Sequence, residues 1–155
     1  MTLEALFKGR MVDISGMMAR LRKVAKEEGL PFGDREMTYN SRLAQELGKW
    51  AEDQGKGKAY NNAVFQAYFA GGRNIGKISE LVGVAGSLNL DPEETRKVLE
   101  ERRFQGAVDA DWQRSGEMGI TAVPSFVMDG RVLVGAQPYG VLDEFVRAGN
   151  AMVLD

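Results

Sequence analysis

Two of the side chains that carry most enzymatic chemistry do not occur in this sequence. Its 155 residues hold no cysteine and no histidine. That removes disulfides, thiolate nucleophiles, zinc sites built from the usual ligands and any Ser-His-Asp triad. Catalysis by this chain alone would rest on carboxylate, Lys, Tyr, Ser or Thr. Three stretches still have spacing that invites chemistry. Gly71 to Ile78 (GGRNIGKI) comes near a phosphate-binding loop, but Ile78 stands where Ser or Thr would hold magnesium. No strand signal precedes it, so a plain loop between helices is expected. Asp109, Asp111 and Glu117, with Glu93, Glu94, Glu100 and Glu101, bring carboxylates together. Their spacing matches no calcium loop, and solvated helix faces account for them. No metal and no cofactor is expected. The third stretch is Val123-Pro124, a proline at the head of an apolar run, where it needs no ladder partner.

The elements that must position these residues are mostly helices. Apolar Met17, Met18, Leu21, Val24 and Ala25 recur at helical spacing from Ile14 to Glu28, and Gly29 with Pro31 ends the run. On that helix Arg20, Arg22, Lys23 and Lys26 read as the exposed face, and the methionines at 11, 17 and 18 as core packing. Leu3, Leu6 and Phe7 fit either a short helix or a loop. A second helix is predicted from Ser41 to Asp53, with Leu43, Leu47, Trp50 and Ala51 inward and Asn40 or Ser41 as cap. A third, from Lys58 to Ala70, carries the stripe Val64, Phe65, Tyr68 and Phe69 and stops at Gly71-Gly72. A fourth spans Ile78 to Leu88 with Ile78, Leu81, Val82 and Ala85 inward. Asp91-Pro92-Glu93-Glu94 is the clearest helix start, combining a cap, a first-turn proline and a capping-box glutamate. A sixth helix, Phe104 to Glu117, presents Phe104, Val108 and Trp112.

At Thr121 the periodicity changes. Ser125–Met128, Asp129-Gly130 and Arg131–Val134 form a hairpin signature, since Asp-Gly suits a primed two-residue turn. Both arms are nearly all apolar, which predicts helices over both sheet faces. Pro138 opens a last helix, Tyr139 to Ala148, with Val141, Leu142, Phe145 and Val146 toward the sheet.

Composition excludes whole classes of partner. Hydrophobic residues make up 44% and charged residues 27%, with a net charge of −2 and a pI near 5.3. Neither nucleic acid nor an anionic membrane surface is an expected partner at that balance. Apolar runs are too short to cross a bilayer, no signal peptide is visible, and the cytoplasm is the expected compartment.

Gly119-Ile-Thr-Ala-Val-Pro-Ser-Phe-Val-Met-Asp-Gly, followed by Gly135-Ala-Gln-Pro, resembles the C-terminal half of DsbA-like thioredoxin-fold proteins, and within them the FrnE-like subgroup. The resemblance runs back through Asp91-Pro-Glu-Glu, Tyr68-Phe-Ala-Gly-Gly-Arg-Asn-Ile, Asn40-Ser-Arg-Leu-Ala and Gly29-Leu-Pro-Phe, in order. It implies a mostly helical α/β chain: a truncated thioredoxin-like fold with a DsbA-type helical insertion and a C-terminal β-hairpin plus helix. As one domain over 1–155, it would place the helical insertion at 12–117 and the β-β-α part at 119–149. In that family a β-α-β segment with Cys-x-x-Cys comes first, and the resemblance implies that this chain begins about where the insertion begins.

The resemblance also assigns roles. Val123 and Pro124, with Thr121 and Ala122, would form the cis-proline loop on which a thiol or peptide substrate adds as an extra strand. Asn40 and Ser41 match a pair near the active-site cleft, although helix capping explains them as well. The implied function is that of a member or fragment of a thiol-disulfide oxidoreductase, with the chain itself inactive in exchange. The alternatives are a non-catalytic binding or oligomerisation module, and a relative of glutathione-dependent isomerases and kappa-class transferases. Without the implied strands, Ser125 to Met128 would offer an unprotected apolar edge, so a homodimer or domain-swapped pair is expected. In the other arrangement, Thr2 to Val12 would fold back over that edge.

Overall fold

Asp91 starts its helix for reasons visible in the letters. Its carboxylate accepts the Glu94 N–H at 2.7 Å, and Pro92 occupies the first helical position, where no N–H is needed. Glu94 does not complete a capping box; its carboxylate turns to Arg103 at 2.5 Å. Similar local rules set the other elements of the computed structural model, which describes residues 1–34 and 36–149. In chain order they are α1 (Leu3–Leu6), α2 (Ile14–Glu27), α3 (Arg42–Asp53), α4 (Gly57–Phe65), a π-helical turn (Gln66–Ala70), α5 (Ile78–Gly86), α6 (Pro92–Glu100), α7 (Gln105–Glu117), β1 (Ser125–Met128), β2 (Arg131–Val134) and α8 (Tyr139–Arg147).

Two compact units divide the chain, Met1–Val108 and Asp109–Asp155. The division falls inside α7, just after Val108, the last buried hydrophobic side chain among the described residues.

The first unit is built around α3 to α6. Leu47, Tyr60, Leu81 and Leu99 are closed off from solvent and pack with Trp50, Val84 and Val98. Each large apolar side chain so buried contributes about 1.5–3 kcal/mol relative to exposure. Tyr60 satisfies its hydroxyl inside this core by donating to the Ala44 carbonyl at 3.0 Å, and burial pushes its pKa up. Residues 1–3 pair with residues 36–38 through the backbone: Thr2 bridges Met37, Leu3 N–H donates to the Glu36 carbonyl at 3.0 Å, and Thr38 N–H donates to the Met1 carbonyl at 2.9 Å.

Several details depart from the sequence pattern. The stripe on α2 is only partly used, since Met18 and Ala25 are buried while Leu21 and Val24 remain exposed. Neither buried residue belongs to the main core cluster, so α2 contributes through a narrow edge rather than a full face. Met11 is fully exposed. The basic face of α2 is exposed, with Arg22 on Asp34 at 2.6 Å and Lys23 near Glu27 at 3.8 Å. On α5 the inward position is Val84, with Val82 only half-buried. The helix predicted to run to Ala70 stops being α-helical at Phe65, and a π turn finishes it. Trp112 on α7 is exposed.

In the second unit, β1 and β2 form an antiparallel hairpin with Met128 opposite Arg131 and Ser125 opposite Val134. Asp129 and Gly130 both take positive φ, +49° and +74°, as a primed two-residue turn demands. The face carrying Phe126, Met128, Arg131 and Leu133 lies toward α8. There the Arg131 guanidinium sits 5.0 Å from the Phe145 ring centroid and donates to the Phe145 carbonyl at 3.1 Å. Helices over both faces were expected, but Val132 and Val134 on the opposite face are 41% and 47% exposed. Val141 and Val146 of α8 are exposed as well, because only Leu142 and Phe145 turn inward. Among the described residues no helix is long and apolar enough to cross a membrane. No group of three or more acidic side chains is placed to hold a metal ion there either.

Candidate functional site

The segment from Gly119 to Ser125 is shaped from both ends. At its start α7 closes with Gly119 at φ +70°, and the N–H groups of Gly119 and Ile120 return to the carbonyls of Gly116 and Ser115, each at 2.9 Å. A glycine is needed there because left-handed backbone is unfavourable for side chains carrying a Cβ. At its far end the hairpin takes over: the Gly135 N–H donates to the Pro124 carbonyl at 2.8 Å, and Ser125 Oγ donates to the Ala122 carbonyl at 2.6 Å. Thr121, Ala122, Val123 and Pro124 are all exposed between these anchors. The Val123-Pro124 peptide bond is cis.

Val123 is the distinctive residue of the loop. It is 89% exposed, and among the described residues no hydrogen bond engages its backbone N–H or C=O. Its neighbours on both sides are tied down, so an apolar side chain and a free pair of main-chain groups project together. Such a segment can receive an extended chain through main-chain hydrogen bonds.

Asn40 and Ser41 lie in the first unit, at the entrance to α3. Asn40 Oδ1 accepts the Arg42 N–H at 2.8 Å, and Ser41 Oγ accepts from Gln45 Nε2 at 2.9 Å. Asn40 therefore does the local capping, two residues ahead of the N–H it accepts, and Ser41 makes no side-chain cap bond. Asn40 also borders a cavity of about 220 Å³ with Arg42, Leu43, Gly76 and Arg102. The six residues singled out in the sequence thus fall into two groups, 121–124 in one unit and 40–41 in the other, each with its own local geometry.

One charged cluster was not singled out in the sequence. Glu46 is only 1% exposed, and its carboxylate binds Arg42 Nε at 2.7 Å and Arg102 Nε and Nη2 at 2.7 and 2.6 Å. The Arg102 hydrogen bonds hold the Glu46 pKa below its ordinary value, aided by Arg42 and opposed by burial. The Arg42/Glu46 spacing of four was a legible signal of an ion pair. Arg102, 56 residues further on, was not.

Similarity to known proteins resolves what this arrangement is. The DSBA-like thioredoxin domain family matches residues 5–147. The chain belongs to that family. Among curated sequences, the uncharacterized protein YwbO of Bacillus subtilis (strain 168) is 36% identical over 110 residues, which is 67% of this chain and 52% of that protein. The chain therefore spans about half the length of the curated relative it matches. A crystal structure of a probable DsbA oxidoreductase from Streptomyces coelicolor superposes with a TM-score of 0.79 at 29% identity, covering 90% of this chain and 62% of that one. The cytosolic disulfide reductase DsbM of Pseudomonas aeruginosa, solved with GSH, gives 0.59 at 19% identity, over 88% of this chain and 77% of that one. At that identity it speaks for the fold alone. The DsbA-like thioredoxin fold, mostly helical with a short two-stranded sheet, is the fold of this chain.

Proposed function

We propose that this chain forms the substrate-side part of a DsbA/FrnE-like thiol-disulfide oxidoreductase. In this reading Val123 and Pro124, with Thr121 and Ala122 beside them, receive a thiol or an extended peptide as an added strand. The observation that carries it is the unengaged backbone of Val123, held out between hydrogen-bonded neighbours. Exchange proceeds by attack of a thiolate on a disulfide. This sequence contains no cysteine, so that thiolate must come from outside its 155 residues. Asn40 and Ser41 stand in this reading as cleft residues, with capping as their local duty.

Two measurements test the proposal. Purified chain should reduce insulin no faster than buffer with the same reductant. Titration with a short extended peptide containing S-methylcysteine should then move the amide resonances of residues 121–125. A peptide that shifts nothing in that loop sinks the substrate-side assignment.

The absence of cysteine and histidine also favours a second reading, a non-catalytic binding or oligomerisation module. It draws further support from the hairpin, where β1 pairs with β2 alone among the described residues and Val132 and Val134 are exposed. A free strand edge with apolar neighbours invites pairing with another copy. The corresponding proposal is a homodimer. Sedimentation at micromolar concentration should show about twice the 17.0 kDa chain mass, and a clean monomer removes it.

A further inference from the structure

Three phenylalanines of the first unit stay outside its core. Phe32, Phe65 and Phe69 do not belong to the packed cluster around Leu47 and Leu81. They line a cavity of about 380 Å³ instead, together with Leu30, Asn62 and Gln66. Asn62, Phe65, Gln66 and Phe69 are spaced i, i+3, i+4 and i+7, which aims them to one side of α4 and its π turn. Turns of this kind occur disproportionately at functional sites.

The opposite wall is built, not incidental. After α2, the Leu30 N–H donates to the Ala25 carbonyl at 2.7 Å, and Gly29 takes φ +66° to make that return possible. The segment then touches the π turn, where the Gly33 N–H donates to the Phe69 carbonyl at 2.8 Å. A Cβ at Gly33 would fall 2.3 Å from the Ala70 carbonyl oxygen, so no other residue permits this approach. The contact sets the Phe32 ring against Phe69, centroids 6.1 Å apart and 24° from parallel, and Phe65 lies 6.0 Å from Phe69 between centroids.

We propose that this cavity is a binding site for a neutral small molecule with one or two aromatic ring systems and a single hydrogen-bonding group. Its volume lies in the range of small-molecule pockets, roughly 300–1,000 Å³. Among the described residues no charged side chain lines it, which disfavours an ionised ligand. The side-chain amides of Asn62 and Gln66 make no hydrogen bond among the described residues and supply the polar contact. Phe65 is 58% exposed, an aromatic ring at the rim that folding leaves uncovered and a ring-bearing ligand would cover.

The test uses the full chain and N-phenyl-1-naphthylamine, a neutral probe with two aromatic ring systems, naphthyl and phenyl, joined by one N–H. Its fluorescence should rise and saturate at one probe per chain. Nuclear Overhauser contacts should connect the probe to the rings of Phe32, Phe65 and Phe69. Phe65→Ala, at an exposed position, should weaken binding roughly tenfold by removing one ring contact and its buried area. Asn62→Asp, also exposed and nearly isosteric, should weaken it by a similar factor by placing a carboxylate in the lining. Circular dichroism of each variant should match the parent. Failure to saturate, or saturation that both folded variants leave unchanged, overturns the proposal.

Discussion

The two units of this chain are held together in different ways. Among the described residues, every buried hydrophobic side chain lies between Leu3 and Val108. Among the described residues from Asp109 to Gly149, no side chain is fully buried; only the glycine at 149 is. The first unit is therefore sealed by packing, and its conformation is a cooperative property of α3 to α6. The second is specified by local backbone rules: a glycine that ends α7, a primed turn at Asp129-Gly130 and a proline before α8. Its apolar side chains, among the described residues, are half-covered or exposed.

The largest expected effect compares matched truncations in the two regions. Leu47→Ala removes a side chain with no exposed surface and should lower unfolding stability by about 2–5 kcal/mol. Val132→Ala, on the exposed hairpin face, should change it by less than about 1 kcal/mol. Urea denaturation of the two variants reads the contrast directly, and equal losses would break it.

Next comes the buried carboxylate. Glu46→Ala leaves Arg42 and Arg102 without their shared acceptor, and should destabilise the first unit by about 2–4 kcal/mol, since Arg102 can still reach water. The same cluster sets a pH dependence. The folded-state pKa of Glu46 lies below its ordinary value of 4.5, so its contribution is fully present above pH 4.5 and disappears as pH falls through the folded-state pKa. Stability measured downward from pH 6 should drop less steeply in Glu46→Gln than in the parent chain. Identical slopes would mean that the cluster does not titrate with folding.

The smallest effect is confined to the hairpin. Gly130→Ala forces a Cβ into φ +74° and should cost about 1–2 kcal/mol of local turn stability. Cross-strand contacts between Phe126 and Leu133 should weaken in NMR spectra, while amides of α3 to α6 keep their positions. Shifts across both regions would show that the hairpin and the helical core are coupled.

Much of the helical frame was legible because its signals are local. Asp91 capping Glu94, the stripe Leu47-Trp50-Ala51, and Asp-Gly between two apolar runs each depend on residues a few positions apart. The family resemblance around 121–124 was legible for another reason: its flanking letters match a family whose model covers residues 5–147. Three features were hidden. The π turn at Gln66–Ala70 breaks an otherwise unbroken helical pattern and is answered from a distance by the Gly33 N–H on the Phe69 carbonyl. The Glu46 cluster needs Arg102, which left-handed backbone at φ +51° brings in just after α6. The exposure of Leu21 and Val24 could not be read either, because periodicity shows which residues share a face and not whether anything covers it.

By itself, then, the sequence determined where most helices lie, the hairpin turn, and the exclusion of thiolate and imidazole chemistry from these residues. All of these follow from side-chain type and from interactions within about four residues. Only the tertiary structure decided that Glu46 is a buried, doubly held carboxylate, that three phenylalanines line one cavity, and that Val123 makes no backbone hydrogen bond among the described residues. Each depends on groups far apart in the chain meeting or failing to meet, and burial and hydrogen-bond satisfaction are properties of that meeting.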